Sequence, residues 1–221
     1  MSTSAAAPAN AGSSPATPSS TVATASSAGA GPSSAVSASV AALPAKARVL
    51  ATATRLFYTE GIHTVGVDRI VTEAGVTRAT FYRHFPGKED LVRCYIQEWD
   101  QRIRAELAQA VPGLTAARLL PLLVTRLGQE MCGPGFRGCP FINASAEYPD
   151  PEHPVSQAIT EHRAWLRGAL VRLLGDAGVP EPERRADIVV LLRDGAMVGA
   201  ALGDPAVVAD RLAAAVAELV G

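Results

Sequence analysis

Basic and polar side chains recur on one face of a short segment that carries two aromatic residues one helical turn apart. Phe81 and Phe85 are spaced so that both lie on the same side of a helix, and we expect both to be buried. The other side of that helix then faces solvent. Cations and hydroxyl groups there can donate hydrogen bonds to phosphates and base edges. The residues expected to face the DNA are Arg78, Ala79, Thr80, Tyr82, Arg83 and His84.

Two short helices joined by a tight turn, within Val67 to Pro86, must position these side chains. Gly75 breaks the first helix, and Thr77 provides a side-chain oxygen to cap the second. This arrangement predicts a helix-turn-helix, in which Arg78 could read guanine in the major groove. Lys88 begins the next helix and could dock on the phosphate backbone. The alternative interpretation is an ordinary helical hairpin with a solvated basic face.

The segment from Ala47 to Trp99 resembles the DNA-binding domain of the TetR/AcrR family of transcriptional repressors. That family implies an all-α homodimer that binds operator DNA and a small-molecule effector. Gly66 stands where the family usually has Ser or Thr, so no hydroxyl contact to phosphate is expected there. The residues that carry the resemblance are Arg48, Ala53, Leu56, Phe57, Gly61, Val67, Asp68, Ile70, Ala74, Gly75, Val76, the run Thr80 to Phe85, Lys88, Glu89 and Leu91.

The composition divides the chain of 221 residues into three parts. Residues 1–43 are rich in Ala, Ser, Thr, Pro and Gly and carry no charged side chain, which predicts a disordered tail or an upstream start codon assigned in error. Residues 44–104 form the predicted DNA-binding domain, and residues 105–221 form the predicted effector-binding and dimerisation domain. The tail lacks the basic and Leu-rich regions of a secretory signal, which favours a cytoplasmic location.

Charge is distributed unevenly although the whole chain has a net charge of −1. From Lys46 to Arg104 the net charge is +3, and from Ala105 to the end it is −4. A basic block of this modest size gives weak support to local binding of nucleic acid, and chance could also produce it.

Helical periodicity and Pro or Gly breaks predict an all-α fold, with no convincing strand and no apolar run long enough to span a membrane. Three helices form the N-terminal domain, and a fourth of more than 20 residues links it to the rest. Pro121 lies inside a predicted helix and should kink it or mark a later start. The predicted helices outside the motif are Pro44 to Glu60, Lys88 to Ala110, Thr115 to Cys132, Cys139 to Tyr148, Val155 to Gly175, Pro182 to Leu202 and Pro205 to Val220.

The last two predicted helices have wide apolar faces with many small residues, including Gly199 and Ala200. Such helices can pack closely against a second copy of themselves or inside one subunit. The family resembled uses its last two helices as a four-helix dimer interface. We therefore expect a homodimer held by the helices around Met197 and Leu212.

The sequence shows no catalytic motif, and its four His residues are scattered, so we expect neither an enzyme nor a metal or cofactor site. Three cysteines in a chain without a signal suggest a reducing compartment. Cys139 begins a predicted helix, where a lowered thiol pKa could make it a sensor of oxidants or electrophiles. The alternative is that Cys139 is a small buried apolar residue.

An effector cavity should lie between the fourth helix and the helices that follow it. An apolar space with a few polar groups suits a small molecule, although each candidate could equally be a core or surface residue. The candidates are Trp99, Ile103, Met131, Phe141, Asn143, Glu147, His162 and Trp165.

Together these features predict a homodimeric, ligand-responsive repressor with double-stranded operator DNA and an unknown small molecule as partners. The competing interpretation is a helical enzyme or interaction protein whose basic hairpin is incidental.

Overall fold

The computed structural model describes residues 43–110 and 115–220, and every regular element in those ranges is an α-helix. The predicted all-α class is confirmed, and no helix in the described ranges is long and apolar enough to cross a membrane. Disorder is predicted for residues 1–43, and of these residues 1–42 lie outside the described ranges. The helices are α1 Ala45–Glu60, α2 Val67–Glu73, α3 Arg78–His84, α4 Lys88–Ala110, α5 Ala116–Met131, α6 Pro140–Glu147, α7 Pro154–Asp176, α8 Pro182–Leu202 and α9 Pro205–Val220.

Helices α1, α2 and α3 pack around one small core, and α1 also packs on α4. Pro44 precedes α1, and Gly61 ends it with φ +93° while its N–H donates to the Phe57 carbonyl. The predicted apolar stripe of α1 is buried together with the aromatic residues of α3. The fully or almost fully buried side chains are Val49, Ala53, Leu56, Phe57, Ile70, Phe81, Phe85, Leu91 and Tyr95.

Helix α4 is continuous from Lys88 to Ala110 and belongs to both halves of the molecule. Its first half packs on α1, and α4 also packs on α7 in the C-terminal half. The boundary predicted between residues 104 and 105 therefore falls inside a helix. Any tilt of α4 must move both halves together.

Helices α5, α7, α8 and α9 form the C-terminal bundle, with the short α6 set against α4 and α7. Proline begins each of the last four helices, where its missing N–H and fixed φ are tolerated; these prolines are Pro140, Pro154, Pro182 and Pro205. Pro121 is different because α5 continues through it. The Ala117 carbonyl therefore lacks its usual helical donor.

Candidate DNA interface and effector cavity

The turn between α2 and α3 is fixed by backbone and side-chain hydrogen bonds. Gly75 has φ +61°, a left-handed conformation that glycine adopts without steric cost. Arg48 of α1 donates from Nε to the Ala74 carbonyl at 3.0 Å and from Nη2 to the Gly75 carbonyl at 3.2 Å. The Thr77 hydroxyl accepts from the Thr80 N–H at 3.1 Å, so the predicted cap of α3 is confirmed. These bonds fix the direction in which α3 leaves the turn.

Helix α3 buries its aromatic face and exposes its basic face. Phe81 is fully buried and Phe85 is 1% exposed, as expected from their spacing. Among the predicted DNA contacts, Thr80 and His84 are partly exposed. The others on α3 are exposed: Arg78, Ala79, Tyr82 and Arg83. The exposed surface is thus available to a partner, while the DNA contacts themselves stay a prediction.

The cations of this surface differ in their surroundings. Arg78 forms an ion pair with Asp68 of α2. Arg83 is exposed and has no carboxylate partner within the described ranges. Lys88 lies at the start of α4 with its Nζ 3.5 Å from the His63 carbonyl oxygen. Partial burial lowers the pKa of Lys88, and the negative charge of Glu147 opposes that shift.

A cavity of about 1160 Å³ opens between α4, α5, α7 and the last two helices. Four predicted residues line it, namely Trp99, Ile103, His162 and Trp165. Leucine and valine side chains supply most of its apolar wall, in particular Leu119, Leu123, Val124, Leu127, Leu166 and Leu170. Small-molecule sites are likewise mostly apolar clefts with a few polar groups, and this space is somewhat larger than most of them.

His162 connects the cavity with two neighbouring helices. Its Nδ1 lies 2.8 Å from Asp100 Oδ1 on α4, and its ring stacks on Phe141 of α6 with centroids 3.6 Å apart. Burial lowers the pKa of His162, although the hydrogen bond and charge of Asp100 act in the opposite direction. Arg104 binds Asp100 through Nε at 2.7 Å and also covers the Trp165 ring. A displacement of the His162 side chain would therefore change contacts with both α4 and α6.

Two of the apolar candidates, Met131 and Phe141, do not line the large cavity. Both are 1% exposed and belong to the core. Phe141 lies behind His162, because α6 presents its apolar face to α4 and α7 and the imidazole stands between it and the cavity. The expectation that these side chains contact an effector directly is therefore not supported by their positions.

The polar candidates on α6, Asn143 and Glu147, also lie away from the large cavity. Asn143 donates from Nδ2 to the Arg137 carbonyl at 2.9 Å. Glu147 accepts from the Ile62 N–H at 2.8 Å and from the His63 N–H at 2.6 Å, and its carboxylate lies 2.8 Å from His63 Nδ1. The polar end of α6 is turned toward the loop after α1, which sequence periodicity alone could not show.

Tyr58 attaches the other end of α6 to α1, and sequence reasoning did not single it out. Its hydroxyl donates to the Gly138 carbonyl at 3.0 Å and accepts from the Arg137 N–H at 2.9 Å. The partners are 79 and 80 residues apart, so no local pattern predicts the contact. Together Tyr58 and Glu147 hold α6 at both ends against the N-terminal half.

Cys139 is 1% exposed and occupies the N-cap position of α6. Arg193 of α8 lies with Nη1 3.4 Å from its sulfur. Cys132, its nearest cysteine in the sequence, is exposed, and both thiols are free. Burial matches the interpretation of Cys139 as a small core residue, and sensing stays a prediction.

One face of α8 and α9 is apolar but exposed in the single chain. Met197 and Leu212, around which the dimer was expected, are buried inside the subunit at 1% and 5% exposure. The outward residues are instead Leu191, Val198, Leu202 and Val207. The first three are spaced to lie on one side of α8. The expected helices are therefore available for dimerisation, but through a different face.

Comparisons with known proteins agree with the fold and with the exposed helix-turn-helix. The profile described as "Bacterial regulatory proteins, tetR family" matches residues 49–94. The crystal structure of SCO4454, a TetR-family transcriptional regulator from Streptomyces coelicolor, is 44% identical over 80% of this chain and 94% of that one, with a TM-score of 0.77. The HTH-type transcriptional regulator LmrA from Bacillus subtilis is 30% identical over 53% of this chain and 65% of its own length.

A more distant structure, reduced NemR from Escherichia coli, is 18% identical with a TM-score of 0.73 and supports the fold alone. The fold and the exposed basic face of α3 define a helix-turn-helix transcriptional regulator. The chain belongs to the TetR family.

Proposed function

We propose that this regulator is a ligand-responsive repressor that binds a palindromic operator as a homodimer in the cytoplasm and has no catalytic role. The observation that carries the proposal is the connection made by α4. One helix joins the exposed recognition surface of α3 to a large apolar cavity lined by Trp99 and Trp165. A change in the cavity therefore has a direct mechanical path to the DNA-binding half.

The DNA contacts would divide into base reading and phosphate contacts. Arg78, at the exposed leading end of α3, would reach a base edge, where arginine recognises guanine O6 and N7. The polar residues Thr80, Tyr82, Arg83 and His84 would contact phosphates or neighbouring bases, with Ala79 allowing close approach. Lys88 would hold the backbone from the start of α4.

Dimerisation would use the exposed face of α8 and α9. Leu191 is 69% exposed and Leu202 is 85% exposed, which is costly for large apolar residues on a monomer surface. Pairing with a second copy would bury both copies of each side chain, one from each subunit, because a two-fold interface is self-complementary. Two recognition helices would then meet two half-sites.

Effector binding would act through His162. This residue contacts Asp100 on α4 and Phe141 on α6, and α6 is fastened to the DNA-binding half at both ends. An occupant that displaced His162 would shift α4 and α6 together. The separation of the two recognition helices would change, and operator affinity would fall.

A gel shift with the DNA upstream of its own gene, repeated at several salt concentrations, tests the proposal. Leu202→Glu should produce monomers in sedimentation velocity and lose operator affinity, because a charge is placed in an apolar interface. Ala164→Glu, which adds the same charge at an exposed site on α7, should remain dimeric and bind normally. Absence of selective DNA binding by the wild type would favour the competing enzyme or interaction protein.

A further inference from the structure

We propose that Asp68 sets the DNA sequence preference by positioning Arg78, an inference that rests on the DNA-binding function proposed above. Asp68 lies in the first turn of α2, and its carboxylate forms an ion pair with Nη2 of Arg78 at the start of α3. The pair joins the two helices of the motif at the surface that would meet DNA.

The Asp68–Arg78 pair is not explained by stability. Its two side chains are 68% and 66% exposed, and exposed ion pairs contribute little to folding. Arg69 on the same helix shows the contrast, because it binds both Glu60 and Glu73 and so ties α2 to the end of α1. Asp68 makes no such structural network and instead engages the predicted base reader.

A carboxylate at this surface repels the phosphates of any duplex, so it disfavours DNA binding unless it has a compensating effect. For Asp68 that effect is to restrict the conformations of the Arg78 side chain before DNA binds. Arginine is a long side chain that loses rotamer freedom when it binds, and a carboxylate that holds one nitrogen reduces that loss. The guanidinium has five N–H groups, so Nε and the remaining Nη donors of Arg78 stay available for guanine.

The same pair lowers the attraction of Arg78 for phosphates in general. A cation already paired with Asp68 releases fewer counterions from random DNA than a free one. Arg78 would then contribute to binding mainly where a base edge accepts its donors. Asp68 is thus a positioning residue that raises the ratio of specific to non-specific affinity.

The test measures the affinity of the full chain for two duplexes of equal length across a salt series. One duplex is selected from a random library by the wild-type protein, and the other has the same bases scrambled. Asp68→Asn should lower the ratio of the two affinities about tenfold, within the range expected for one bidentate base contact. Its salt slope on scrambled DNA should steepen by about one unit because Arg78 becomes free to bind a phosphate.

Asp187→Asn is the matched control, since Asp187 forms an exposed pair with Arg167 in the C-terminal half and the net charge changes equally. It should leave the ratio and the salt slope at their wild-type values. Melting temperatures of both variants should equal that of the wild type. A tenfold loss shared by both variants would overturn the proposal, because it would reflect net charge alone.

A double-mutant cycle separates positioning from direct base reading by Asp68. In the Arg78→Ala background, Asp68→Asn should no longer change the affinity ratio. Additive effects of the two substitutions would overturn the proposal and indicate that Asp68 contacts a base itself. An unchanged affinity ratio for Asp68→Asn alone would also overturn it, because Asp68 would then have no role in sequence preference. If the wild type selects no sequence, the proposed function fails; if it selects one and Asp68→Asn selects it equally well, only this inference fails.

Discussion

Replacement of Glu147 by Gln should loosen the contact between α6 and the loop after α1. The carboxylate holds two backbone N–H groups, those of Ile62 and His63, and also the His63 ring. Gln keeps one carbonyl oxygen but presents an NH₂ group to donors. One position in the loop therefore loses its acceptor.

The expected cost follows from the bonds that are lost. A hydrogen bond to a charged group contributes about 1.5–3 kcal/mol, and an unsatisfied backbone donor costs about 1–3 kcal/mol. The Glu147 side chain is 24% exposed, so water can replace part of the loss. We expect the free energy of local opening to fall by about 2 kcal/mol, which corresponds to roughly 30-fold faster hydrogen exchange at the Ile62 and His63 amides.

Hydrogen exchange resolved at single amides measures this effect. Glu152→Gln is the control, because Glu152 is exposed and its carboxylate has no partner within the described residues. It should exchange as the wild type does. Equal protection of Ile62 and His63 in Glu147→Gln and the wild type would refute the assigned role of the carboxylate.

The pH dependence of the same contact gives a second check. Partial burial opposes ionisation of Glu147, but the hydrogen bonds from Ile62 and His63 outweigh it and hold the pKa below its usual value. A carboxyl whose pKa is depressed in the folded state stabilises that state above its ordinary pKa of about 4.3. The difference between wild type and variant should therefore persist at pH 7 and 5 and shrink as pH falls through the lowered pKa.

Three other predictions concern single positions. In titrations, Arg78→Ala should weaken binding to selected DNA by about 1–3 kcal/mol, with the loss at one base position, and an equal loss on scrambled DNA would contradict base reading. Lys88→Ala should weaken binding to selected and scrambled DNA alike and reduce the salt slope by about one unit. Gly75→Ala should reduce the free energy of unfolding in urea by about 1–2 kcal/mol because φ is +61°, while Gly175→Ala, where an added Cβ meets nothing within 4 Å, should not destabilise. Burial lowers the pKa of His162, so below about pH 6.5 this residue is protonated in the unfolded chain before it is protonated in the folded one. The free energy of unfolding of the wild type should therefore fall by up to about 1.4 kcal/mol more per pH unit than that of His162→Gln. Parallel pH profiles of the two proteins would contradict this.

Local sequence signals are sufficient for the helices and for the orientation of α3. The starts predicted at Pro182 and Pro205 are confirmed, and those predicted at Cys139 and Val155 each differ by one residue from the observed starts at Pro140 and Pro154. The four-residue spacing of Phe81 and Phe85 determines which side of α3 is buried. These features depend only on neighbouring residues, so the amino-acid sequence alone predicts them.

The outward face of α8 was not predictable in the same way. Apolar residues surround most of this helix, so periodicity does not distinguish the side of Met197, which is buried, from the side of Leu202, which is exposed. The cavity was likewise only half predicted. Phe141 and Glu147 turn away from it because of contacts with residues far along the chain, which no local pattern encodes.

The attachment of α6 has a consequence for the exchange of parts between relatives. Glu147 of α6 accepts hydrogen bonds from backbone N–H groups of the DNA-binding half. Tyr58 of the DNA-binding half binds the Arg137 N–H and the Gly138 carbonyl, which precede α6. Backbone groups are present whatever side chains a relative carries. A chimera that takes its first three helices from another family member therefore needs a tyrosine matching Tyr58 and a loop of the same length, and little else, to keep this joint. The joint at α6 should therefore survive such an exchange, whereas the contact of α1 with α4, where Phe57 meets the Tyr95 ring edge-on, must be matched by the new helices before another operator can be placed under the control of the same cavity.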